Sequence, residues 1–245
     1  MGIGVKKIKL NKLIRIILSI IVIIVLVRQI MLKDWFMVFS CLYTLITFSI
    51  PTIFDKKFKI KFPFVLEIAI YLFVFAAEII GEVGAYYITV SWWDDLLHTT
   101  SGMLLTSVGL FLISLLGKKN KKLYLPTFYK ILTAFCFSAT ILVLWECFEF
   151  GMDNLFGTDM QKDTIITTIN SVNLNKKRLN SSVELKVTSL QVNDEDWIKE
   201  YNGYIDIGLY DTMYDLLDGL MGALIYSIFS YSYLKKKENK QKIVL

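Results

Sequence analysis

The chain has 245 residues, of which 55% are apolar and 20% charged, and its mean hydropathy is +0.52. A water-exposed fold does not tolerate that balance, so soluble, collagen-like, disordered and disulfide-rich secreted classes are excluded and the protein is read as a membrane protein. The net charge of +5 carries no nucleic-acid meaning, because it is the sum of a basic face and an acidic one.

Apolar runs cover residues 13–32, 35–54, 64–87, 96–116, 127–150 and 216–234. Each is near the roughly 20 residues that a helix needs to cross a hydrocarbon core, so six spans are expected. The first follows Lys6, Lys7, Lys9 and Lys12, as a signal peptide would. No small-residue cleavage site follows Val27, and the segment is expected to stay as an anchor. Cys41, Cys136 and Cys147 are an odd number at unrelated spacings inside apolar runs, which suits core packing and neither a disulfide framework nor a zinc ribbon.

Residues 151–210 form the sizeable polar connection. Within it Val183, Leu185 and Val187 alternate with polar residues as in a half-buried strand, and 164–174 is a partner across the polar turn 175–182. The expected fold is therefore an all-α membrane protein, a six-transmembrane-helix bundle made of residues 1–150 and 211–245. A small β-hairpin insertion sits in the long outer loop, 151–210, between helices 5 and 6.

Orientation follows from the lysines and arginines, which stay cytoplasmic near span ends. The N-terminal tail, the second and fourth connections and the C-terminal tail hold 19 of the 27 basic residues, including Lys56, Lys57, Lys118, Lys122, Lys130 and Lys235. Both termini are expected in the cytoplasm, and the protein in the bacterial inner membrane. Of the 22 acids only Asp55, Glu67 and Glu238 fall on that side.

Ionisable side chains inside spans are costly and mark a cavity or a partner. The third span carries Glu78 and Glu82, four apart on one face. In the fifth, Glu146 and Glu149 lie three apart, with Asp153 a turn further out. The fourth opens with Trp92, Trp93, Asp94 and Asp95, and His98 shares a face with Asp94. The sixth carries Asp211, Asp215, Asp218 and Gly222, the last three within about 40° of Asp211 around a helix. Asp94, Asp95 and Asp211 lie at N-terminal helix ends, where capping alone is an equal explanation, and Glu67 is read as a cap. Trp92 and Trp93 suit an interfacial aromatic belt.

Capping does not explain Glu78, Glu82, Glu146 and Glu149, which sit at C-terminal helix ends where the dipole disfavours an anion. A bound cation, shared protons or a basic substrate would each resolve this. Oxygen-rich ligation with at most one imidazole favours Mg²⁺, Mn²⁺ or Ca²⁺ over Zn²⁺. The expected assignment gives Glu149, Asp211 and Asp215 to a cation and His98, Glu146 and Asp95 to acid and base chemistry. Glu78, Glu82, Asp94 and Asp218 complete the polar site. His98, Glu146, Glu149, Asp211 and Asp215 are expected in one cleft open to the outer face. Gly81, Gly84 and Gly102 would let helices approach closely.

Asp95-Leu96-Leu97-His98 with Gly102, Glu146-Cys147-Phe148-Glu149, Gly157-Thr158, Asp211 through Asp215 and Gly222-Ala223 together resemble the YjdF-like group of bacterial multi-pass inner-membrane proteins. More distantly they resemble the VanZ-like proteins of glycopeptide-antibiotic resistance. The similarity runs over 93–228, with 165–205 standing as an insertion and Asp218-Gly219 as a departure. It implies a polytopic membrane protein and supplies no reaction. Three functions stay open: an envelope or resistance factor binding a lipid or a partner; a metal-assisted hydrolase or transferase acting on a lipid-linked or envelope substrate at the outer leaflet; and a cation or proton transporter. The lipid bilayer is the partner common to all three.

Overall fold

Every long apolar run folds as a helix, because a chain in hydrocarbon must satisfy its backbone N–H and C=O groups within the segment. The computed structural model describes residues 2–119, 125–198 and 203–243. The helices are α1 (Gly2–Leu32), α2 (Trp35–Phe58), α3 (Phe64–Val74), α4 (Tyr86–Thr89), α5 (Trp93–Lys119), α6 (Thr127–Phe156) and α7 (Leu209–Ile243). Among the described residues five helical stretches are long and apolar enough to cross a membrane: Leu10–Leu32, Trp35–Phe58, Phe64–Val83, Trp93–Gly117 and Thr127–Phe156. The expected sixth span is helical, yet Asp211, Asp215 and Asp218 at one end of α7 and Lys235, Lys236 and Lys237 at the other leave a shorter apolar middle. The helices turn large apolar side chains outward, with Ile24, Ile46, Val65 and Phe229 all exposed. Such faces are stable against lipid tails and unstable against water.

The third span departs from the expected regular helix. α3 runs on into a π-helical stretch, Phe75–Val83, and the helix ends there, before Tyr87. Ala85 takes a left-handed conformation (φ 57°) that starts the short α4. An apolar run specifies helix in a bilayer but not which hydrogen-bond ladder, and π turns are set by tertiary packing.

The chain divides into two compact units, Met1–Leu142 with Leu217–Leu245, and Val143–Leu216. In the first, α1, α2 and the α3 span share a core of Leu18, Val22, Cys41, Phe48, Tyr71 and Ile79, with the Phe48 and Tyr71 rings edge to face, 5.5 Å between centroids. Glu67 does more than end a helix. It accepts hydrogen bonds from the Asn11 amide (2.6 Å) and the Tyr71 hydroxyl (2.8 Å), tying α1 to α3. Of the three cysteines only Cys41 is buried; Cys136 and Cys147 lie on exposed helix faces, and all three thiols are free.

Also in this unit, α5, α6 and α7 approach to backbone contact. A Cβ at Gly102 would stand 1.9 Å from the Gly219 carbonyl oxygen, and one at Gly222 1.9 Å from that of Thr99. The Gly102 carbonyl accepts from the hydroxyls of Thr106 (2.8 Å) and Ser138 (3.1 Å). In lipid there is no water to exclude between helices, so such close packing and interhelical hydrogen bonding hold the bundle.

The second unit contains the long connection. β1 (Thr164–Ile166) pairs antiparallel with β6 (Tyr204–Asp206), Ile165 opposite Ile205. β2 (Thr168–Ser171) pairs with β3 (Ser181–Glu184), which is the expected hairpin, and β4 (Gln191–Val192) with β5 (Glu195–Asp196). The hairpin strand stops at Glu184, short of Val187, and Val183 is 42% exposed. Its alternation therefore marks strand geometry without a covered face. Residues 164–166 pair with β6 instead of joining the hairpin.

Candidate functional site

Within the second unit the last turns of α6 and the first of α7 carry the acids. The i, i+3 spacing puts Glu146 and Glu149 on one helix face, and Asp215 reaches the same point from α7. All three are buried, at 5%, 7% and 3% exposure. One carboxylate oxygen from each lies within 4.8 Å of the others. The Trp145 indole N–H donates to Glu149 (2.9 Å), and the Trp145 ring packs on Phe148 at 5.4 Å. The indole fixes one Glu149 oxygen. Three carboxylates so close repel one another, and a shared proton or a divalent cation relieves the repulsion. Carboxylate oxygens alone suit Mg²⁺, Mn²⁺ or Ca²⁺.

Asp211 turns elsewhere. Its carboxylate accepts the Lys162 backbone N–H at 2.8 Å, and it lies outside the close group of three. One turn beyond Glu149, Asp153 accepts from the Thr158 hydroxyl (2.7 Å) and from the backbone N–H groups of Met160 (2.7 Å) and Gln161 (2.8 Å). The Gln161 amide then donates to the Thr212 hydroxyl. Gly157 (φ 64°) lets the chain double back after α6 into this bracket. Gly208 (φ 78°) brings it to α7, where a Cβ would come within 2.6 Å of Gln161. Gly157-Thr158 is thus the bend that folds the connection onto its own acids. Asp159 is exposed and pairs with Lys162 at 3.7 Å. Asp163 is pushed above the ordinary carboxylate range by burial, then by repulsion from Asp159, Asp206 and Asp153.

Within the first unit, one turn of α5 places Asp94 Oδ1 3.4 Å from His98 Nε2, with the imidazole 12% and the carboxylate 25% exposed. A carboxylate on one ring nitrogen fixes the ring's orientation. Asp95 is exposed, and its carboxyl is hydrogen-bonded to that of Asp218 from α7. Glu78, in the π-helical stretch, accepts from the Ser40 hydroxyl of α2, with Glu82 close by. The Trp92 and Trp93 rings stand 6.0 Å apart, Trp92 exposed as an interfacial residue would be.

Helical spacing put Glu146 and Glu149 on one face and gave no sign of the hydrogen bonds made by Trp145, Asp153 and Gln161. Asp153 and Gln161 find their partners in or across a loop whose path no periodicity encodes, whereas the Trp145 indole meets Glu149 one turn along α6. Mostly helical architecture, several helices long and apolar enough to cross a membrane and large apolar side chains facing outward define a membrane protein that would sit in a lipid bilayer. The chain belongs to the family described as Predicted membrane protein (DUF2238), which matches residues 11–236 and so takes in the first three spans as well as the last three helices. Neither a curated protein nor a solved structure matches it.

Proposed function

We propose that the protein is a six-span protein of the bacterial inner membrane that holds a divalent cation on Glu146, Glu149 and Asp215. Both termini lie in the cytoplasm and 151–210 outside, so the site faces the outer leaflet. In this reading it acts as an envelope or resistance factor, with the cation as the point of contact for an anionic lipid or partner. The observation that carries it is the meeting of three buried carboxylates within 4.8 Å. Converging carboxylate oxygens are the ligand set that a divalent oxygen-loving cation takes, and the cation would remain able to accept a further anionic ligand. The basic inner face supports the orientation. The likeness to the YjdF-like and VanZ-like proteins agrees with an envelope role.

The Asp94–His98 pair supports a second reading, a metal-assisted hydrolase or transferase on an envelope substrate, because an imidazole oriented by a carboxylate is suited to general base work. One experiment separates them. Metal analysis of protein purified from detergent, wild type beside Glu149→Gln and His98→Gln, should find a divalent ion lost in the first variant. Absence of bound ion from the wild type after dialysis against Mg²⁺, Mn²⁺ or Ca²⁺ would end the cation site. Metal-dependent hydrolysis of a lipid-linked phosphate, abolished by His98→Gln, would favour the enzyme.

A further inference from the structure

Where α5 ends and α6 begins, α5, α6 and α7 leave a groove of about 490 Å³, within the range of about 300–1,000 Å³ in which small-molecule sites fall. Leu110 and Ile113 of α5 and Phe229 and Leu234 of α7 give it apolar walls, and Lys130 of α6 joins them. The character changes along its length. Leu110 and Ile113 lie about two turns before the end of α5, whereas Lys130 stands in the first turn of α6 and Leu234 immediately precedes Lys235, Lys236 and Lys237. The N-terminus of α6 adds its positive dipole end to that mouth. Glu238 is the acid there, accepting from the Thr127 hydroxyl at 3.0 Å and lying 3.7 Å from Lys235. Among the described residues at that mouth Lys130, Lys235, Lys236 and Lys237 outnumber Glu238, so its net charge is positive.

We propose that this groove binds an anionic phospholipid, one acyl chain along Leu110, Ile113 and Phe229 and the phosphate beside Lys130 at the mouth. Charge decides the occupant. A second copy of the chain docked face to face here would bring its own Lys235–Lys237 run against this one, like charge to like. A zwitterionic lipid would fill the walls, but its own cation would offset the phosphate that it brings to the lysines. A headgroup phosphate satisfies both halves of the groove, and a lysine near a membrane surface contributes about 1 kcal/mol, or about fivefold, to holding an anionic lipid. The proposal is independent of the carboxylate group described above.

The test is native mass spectrometry of the detergent-solubilised full chain titrated with phosphatidylglycerol or phosphatidylcholine of equal chain length. Phosphatidylglycerol should bind more tightly. Lys130→Gln should weaken it about fivefold and weaken phosphatidylcholine, whose choline offsets its phosphate, by less, while the exposed Lys237→Gln changes neither appreciably. Ser230→Trp, which fills the groove, should weaken both lipids. Equal binding of the two lipids by wild type would overturn the proposal. So would equal losses from Lys130→Gln and Lys237→Gln, since that is general surface attraction, or unaltered binding in Ser230→Trp. Should Lys130→Gln fail to elute as a folded species, Lys130→Arg must retain the preference and Ser230→Trp decides.

Discussion

Replacing Glu149 by glutamine removes one charge from the buried group while keeping its shape. The substituted amide retains a carbonyl oxygen to accept from the Trp145 indole, so what changes is the electrostatics. At the 4.8 Å limit of the group two unit charges repel by about 3.5 kcal/mol at an effective dielectric of 20. Glu149 has two such neighbours, but the penalty is capped, because a glutamate can take up a proton at pH 7 for about 3.7 kcal/mol. In chelator the variant should therefore be as stable as wild type or more so, by up to about 3.7 kcal/mol. In divalent metal the order reverses. A cation at a hundred times its Kd stabilises the wild type by about 2.7 kcal/mol, or about 5–10 °C in Tm for a chain of this size, and the variant loses most of that gain. Thermal melting of both proteins in detergent, with EDTA and with Mg²⁺, Mn²⁺ or Ca²⁺, reads the sign directly. A difference between wild type and variant that is the same in metal and in chelator would refute the cation and leave protons as the resolution of the cluster.

Cysteine placed at Asn180 should react with a membrane-impermeant maleimide in intact cells; protection until lysis would invert the proposed orientation. Gly102→Ala and Gly222→Ala each drive a methyl to 1.9 Å from a backbone oxygen and should lower stability by more than the usual 1–3 kcal/mol of overpacking. Gly109→Ala, 3.0 Å from the Ala134 Cα, should do less, and equal melting of all three would remove the close-crossing argument. Asp163, whose pKa is raised by burial and then by Asp159, Asp206 and Asp153, favours its protonated form in the folded loop. That contribution is present below about pH 4 and is lost as pH rises through the raised value. Amide exchange in Thr164–Ile166, corrected for intrinsic rate, should then become less protected across that window, by a small amount since Asp163 is exposed. Asp163→Asn should flatten the dependence, and an unchanged profile would assign it to other acids.

Hydropathy alone located α1, α2, α5 and α6 because a bilayer admits few alternatives to helix. It was silent on the helix ends. α7 begins at Leu209 and runs to Ile243, well beyond its apolar middle, since polar residues continue a helix once packing has nucleated it. Nor could it reveal the π-helical turn from Phe75 to Val83, where the surrounding helices select the ladder. Glu146, Glu149 and Asp215 were legible because helical periodicity fixes which face a residue occupies. Asp211 shares the stripe with Asp215, but Lys162 comes back to it from a loop 49 positions away, and nothing local announces that return. The β2–β3 hairpin was visible in alternation, whereas the β1–β6 pair joins segments about 40 residues apart and depends on chain closure.

That β1–β6 pair gives the protein a suture. Opposed strands hold Cα atoms only about 5 Å apart, so to the helix ends the segment 167–203 is equivalent to a tight turn. Its closure entropy grows only logarithmically with length, which means that residues can be added or removed there at little thermodynamic expense. A lineage could lengthen, shorten or exchange this appendage while the helix ends feel nothing. An engineer could do the same, splicing an epitope or a reporter between Ile166 and Tyr204, or closing the two strands with Asn-Gly. Variation in the connection is therefore uncoupled from variation in the span ends it joins.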